Sequence, residues 1–120
     1  MGRRSRQREK AVAPSTDYPD AEGNVLTLRG SMSAKTRRAY AAVLAGTADA
    51  PGAAREDAWH RAAEFLFERL AVRWEIAGLP LERQAELLAR YRMASTAERD
   101  WVRATLRTHL ADHFPELEAP

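Results

Sequence analysis

The stretch Glu64-Phe65-Leu66-Phe67-Glu68-Arg69-Leu70-Ala71-Val72-Arg73-Trp74-Glu75-Ile76-Ala77-Gly78 decides how the chain is read. Ala58, Ala62, Leu66, Leu70 and Trp74 recur every four residues, the spacing of one helical face. Phe65, Val72 and Ile76 make a second row, and Phe67 with Trp74 a third. Read with this period, the stretch belongs to one long helix from Ala53 to Ala77, apolar on more than one face. Such a helix needs cover on several sides, from the rest of the chain or from another molecule. Gly78 would end it, and Pro80 would keep it from continuing.

Downstream, a third helix is expected from Leu81 to Met93, with Leu81, Ala85, Leu88 and Tyr91 recurring every three or four residues. Ser95-Thr96-Ala97-Glu98 is a capping-box sequence that opens a fourth helix. Its stripe is Val102, Leu106, His109, Leu110 and His113, and Pro115 stops it. Upstream, Ser33 is a good N-cap for a first helix running to Ala45, with Gly46 as its stop. Asn24-Val25-Leu26-Thr27-Leu28-Arg29 is the one strand-like segment, with Leu26 and Leu28 on one side. A lone strand leaves its backbone groups unpaired. Its partner is either an extended part of the preceding tail or another subunit. Residues 1–23 lack apolar periodicity and read as a disordered basic tail. The expectation is an all-α fold: a bundle of about four helices over residues 24–120, with the tail and one short extended segment before it.

The chain has 120 residues and no cysteine, so disulfides and thiolate chemistry are excluded. No apolar run reaches bilayer length, and no apolar stretch follows the basic start as a secretory signal requires. A cytoplasmic protein with no membrane partner is expected. The basicity is local. Arg3, Arg4, Arg6, Arg8 and Lys10 face Glu9 alone, whereas residues 11–120 carry 14 basic against 16 acidic side chains. Arginine outnumbers lysine 17 to 2, a bias that a GC-rich genome also produces.

No GxGxxG, GK[ST] or GxSxG motif is present, so no enzyme and no cofactor are expected. His109 and His113 stand four apart, a spacing that can chelate a metal, but they lack the glutamate of a metalloprotease motif. A pair near a helix C-terminus also suits the helix dipole, and no metal is expected. Arg99, Arg103 and Arg107 form an i, i+4, i+8 row. With Arg3, Arg4, Arg6 and Arg8 they suggest an alternative function, a small DNA-binding regulator. The acidic Glu98 and Asp100 at the start of that helix oppose it.

Gly23 to Gly30, Glu56-Asp57-Ala58-Trp59, Glu64 to Gly78, Leu87-Leu88-Ala89-Arg90-Tyr91-Arg92 and Phe114-Pro115-Glu116-Leu117-Glu118-Ala119-Pro120 occur in an order that resembles the small helical tail assembly chaperones of long-tailed bacteriophages and actinobacterial prophages. The resemblance covers residues 23–120 and implies a non-enzymatic role in the host cytoplasm. Proteins of that family coat the tape measure protein and keep its long helices soluble during tail assembly. A helical, tape measure-like partner and self-association are therefore expected. Phe65, Phe67, Val72, Trp74 and Ile76 are the candidate partner-facing residues, with Ala62, Leu66 and Leu70 kept for the core.

Overall fold

The computed structural model describes residues 14–45 and 52–120. Among them are four helices and four strands: β1 (Ser15–Pro19), β2 (Val25–Arg29), α1 (Ala34–Ala45), α2 (Gly52–Leu70), β3 (Ala71–Ile76), β4 (Leu79–Leu81), α3 (Gln84–Arg92) and α4 (Thr96–His113). The strands form one antiparallel sheet in the order β1-β2-β3-β4. The fold is mixed α/β, which corrects the all-α bundle.

The correction turns on the quoted stretch. The helix ends at Leu70, and the chain passes without a loop into β3. From Val72 to Ile76, apolar residues alternate with Arg73 and Glu75, a period of two. Trp74 satisfies both periods, four from Leu70 and two from Val72. Strand pairing prevails because Ala77 and Gly78 both take positive φ (51° and 79°), as a two-residue hairpin turn requires. Asn24 Oδ1 accepts the Ala77 N–H at 3.0 Å and ties this turn to the β1–β2 loop. Gly78 therefore sits in a hairpin and does not end a helix. Pro80 lies inside β4 and not in the first turn of a helix.

Leu26 faces Trp74 and Leu28 faces Ala71, so one residue, Val72, is extra between Ala71 and Arg73. This bulge bends β3 where it leaves α2. The second correction concerns the tail. Ser15–Pro19 pair with Arg29–Val25, so the strand's partner comes from this chain, within the segment expected to be disordered. The Gly30 N–H donates to the Pro14 carbonyl at 2.7 Å, closing the pair. A Cβ on Gly30 would lie 3.0 Å from that carbonyl oxygen, so a larger residue would have to push the Pro14 backbone back by a few tenths of an ångström.

The sheet is apolar on one face and polar on the other. Leu26, Leu28 and Trp74 join Leu66, Phe67 and Leu70 of α2, Leu87 and Tyr91 of α3, and Val102, Leu106 and Leu110 of α4 in one buried cluster. Asp17, Thr27, Arg73 and Glu75 take the opposite face, where the Thr27 hydroxyl donates to Asp17 Oδ1 at 2.6 Å. Phe67 sits at the centre, stacked on Tyr91 at 4.7 Å and edge-on to Trp74 at 5.5 Å. The capping box of α4 forms as expected: Ser95 Oγ accepts the Glu98 N–H, and Glu98 accepts the Ser95 N–H.

Candidate functional site

The five candidate partner-facing residues do not share one surface. Phe67 and Trp74 are core residues, 0% and 2% exposed. Phe65, Val72 and Ile76 are half-buried. Phe65 lies on α2, stacked on Tyr40 at 6.4 Å, whereas Val72 and Ile76 belong to β3. The helical face that was to unite them ends at Leu70.

Among the described residues Trp59, Leu79 and Met93 are the large exposed apolar side chains, and Trp59 lines a cleft. A cleft of about 550 Å³ runs between α1, α2 and the residues after α4, lined by Tyr40, Leu44, Trp59 and Leu117, with Arg55 and Glu118 at its margins. Trp59 is 40% exposed, large for a tryptophan, and the Arg103 guanidinium lies over its ring at 5.7 Å. α1 supplies Tyr40 and Leu44 four residues apart, hence on one face. The Tyr40 ring is buried and its hydroxyl donates to the Glu118 carbonyl at 2.5 Å. Burial pushes its pKa far above the ordinary tyrosine value, so it stays a neutral donor.

The wall opposite α1 is a strap, residues 114–120. Phe114 is fully buried, Leu117 half-buried and Pro120 buried, whereas Pro115, Glu116, Glu118 and Ala119 are exposed. The anchors thus recur every third residue. The Leu117 N–H donates to the Phe114 carbonyl at 2.9 Å, and Arg37 pairs with Glu116 at 2.9 Å. Arg103 and Arg107 direct Nε–H at the Pro120 main-chain oxygen, at 3.4 and 3.0 Å.

The arginine row considered for DNA is therefore engaged within the molecule. Arg103 and Arg107 hold the strap, and Arg99 donates to the Arg92 carbonyl. Arg3, Arg4, Arg6 and Arg8 lie outside the described residues. Leu117, which lies after the last helical stripe, is a residue of this cleft that sequence patterning missed.

His109 and His113 do lie side by side, with ring centroids 4.4 Å apart. His109 is fully buried. Its Nε2 donates to the Arg29 carbonyl at 2.7 Å, which leaves Nδ1 to accept from the Tyr18 hydroxyl, also at 2.7 Å. His113 Nε2 meets the Thr16 hydroxyl at 3.2 Å. Both nitrogens of His109 are thus used to fasten β1 and β2 to α4. Among the described residues no group of three His, Cys, Asp or Glu side chains is placed to hold a metal ion. None of the described helices is long and apolar enough to cross a membrane.

No protein-family model, no curated protein and no solved structure matches this chain.

Proposed function

We propose that the chain is a non-catalytic protein-interaction module that takes an amphipathic helical segment of a partner into the cleft between α1, α2 and the strap, in the manner of a phage tail assembly chaperone acting on a tape measure-like protein. The observation that carries this reading is the exposed Trp59 beside Tyr40, Leu44 and Leu117 in an open cleft of about 550 Å³. Helix-in-groove recognition uses such a surface: apolar anchors at helical spacing enter an apolar channel while charges at its rim set orientation. Tryptophan is also the residue type most enriched where interfaces concentrate their binding energy. The order of segments that resembles the chaperone family supports the same partner class.

The test is co-expression with a long helical protein of the tape measure class. The wild-type chain should keep that protein in solution and co-elute with it. Ala41→Arg, at an exposed position lining the cleft, should abolish co-elution and leave the fold intact. A complex that survives this substitution would remove the cleft from the reading.

A further inference from the structure

The charges that line the cleft differ in how far the chain itself engages them. Glu116 is paired with Arg37 at 2.9 Å, and the Arg37 guanidinium also lies over the Phe114 ring at 5.2 Å. Arg55 on α2 and Glu118 on the strap are exposed and line the cleft. Among the described residues neither side chain has an ion pair or a hydrogen bond. Glu118 meets Tyr40 through its main-chain oxygen alone, which leaves its carboxylate unpartnered. The remaining lining is mostly apolar: Leu44, Trp59 and Leu117, with the small Ala41 and Ala45. The cleft thus carries one unneutralised cation and one unneutralised anion, on different walls.

We infer that the cleft selects its partner helix by charge: the helix it takes carries a carboxylate on the flank facing Arg55 and a lysine or arginine on the flank facing Glu118. The inference rests on the proposed cleft function and narrows its partner. The cleft is open with the strap in place, so no residue of the chain has to move to admit the segment. A helix laid with its apolar row inward presents one row of side chains on each flank, as e and g positions stand beside a and d. Opposite charges on the two flanks meet both rim residues favourably. A helix basic on both flanks is attracted by Glu118 and repelled by Arg55, and one acidic on both flanks meets the reverse. Exposed ion pairs are individually weak. The apolar anchors around Trp59 therefore supply most of the affinity, and the two charges decide which helix is accepted and which way round it lies.

The probes are three fluorescein-labelled, alanine-based helical peptides of about 14 residues, identical in one leucine row. One has lysine on one flank of that row and glutamate on the other, one has lysine on both flanks, and one has glutamate on both. Titrated into the full chain, the split peptide should bind about fivefold more tightly than either uniform one, the scale of exposed charge pairs. Arg55→Glu should make the all-lysine peptide the tightest binder, and Glu118→Lys the all-glutamate peptide. The two substitutions together should restore the preference for the split peptide, which can then lie in the reverse direction. Both positions are exposed, so the variants should melt with the wild type. Equal affinities for the wild type, an unchanged order in the single variants, or no binding by any peptide overturns the inference. A second measurement needs no variant: in the wild-type chain the split peptide should move the Trp59 indole N–H resonance. Binding that leaves it in place lies outside the cleft and overturns the inference equally. A chain that ranks the peptides as stated but fails to co-elute with the long helical protein refutes the proposed function and leaves the charge selection standing. The reverse outcome refutes the charge selection alone.

Discussion

The Tyr18 hydroxyl and His109 Nδ1 meet at 2.7 Å across 91 residues of sequence, and the contact attaches an edge strand to the last helix. Burial pushes the His109 pKa below its ordinary value of 6.5. The neighbouring His113 adds to the depression, while the Arg29 carbonyl and Asp112 oppose it. The Tyr18 phenol is itself raised by burial and by Asp112, so it remains a donor at neutral pH.

A pH dependence follows. Below 6.5 the unfolded chain protonates this histidine before the folded chain does, so it binds more protons. Stability then falls as the pH drops. The contribution is fully present above the unfolded value and is lost as the pH falls toward the folded one. The urea midpoint should be lower at about pH 5 than at about pH 7.5. His109→Gln should shrink that difference, and a difference of the same size in the variant would assign the effect to other groups.

Phe67→Ala should cost about 3–5 kcal/mol, because it removes a ring at the centre of the core. Partner binding, measured on the fraction that stays folded, should be unchanged. A small stability loss combined with lost binding would restore Phe67 to the partner-facing set.

Trp59→Ala should show the opposite pattern. Stability should fall by no more than about 1 kcal/mol, the scale of an exposed cation–π contact, while co-elution with the helical partner is lost. Equilibrium unfolding and size-exclusion chromatography of the same sample separate the two effects.

Ala77 holds φ 51° in a turn whose favoured sequence is Asn-Gly. Ala77→Asn should therefore stabilise the chain by about 0.5–1 kcal/mol, since asparagine tolerates the left-handed region better than alanine. A lower melting temperature for Ala77→Asn would contradict the turn geometry. Gly78→Ala, at φ 79°, should destabilise.

Features set by local chemistry were legible before the structure. The strand at Val25–Arg29, with Leu26 and Leu28 inward, follows from alternation, and the start of α4 follows from Ser95 and Glu98. The junction at Leu70 was not legible, because Trp74 fits a period of four and a period of two at once. Only the turn at Ala77 and Gly78, together with pairing to β2, decides between them. β1 was hidden for a different reason. Pro14, Asp17, Pro19 and Asp20 are poor strand formers, and what holds the segment is Tyr18 against a distant histidine. The cleft was hidden in the same way, since Leu117 and Pro120 matter only once the strap has folded back over α4. The partner-facing set inherited the error at Leu70. Phe67 and Trp74 proved to be core, and Val72, Trp74 and Ile76 stand on a strand.

The prolines at the sheet's borders bear on how copies of this chain can associate. Pro19 closes β1, and Pro80 sits in the middle of the three-residue β4. Proline has no N–H to offer a neighbouring backbone, and a short outer strand offers few others. Among the described residues, each border therefore offers a foreign strand fewer backbone donors than an unbroken edge would, which disfavours growth of the sheet from copy to copy by main-chain pairing.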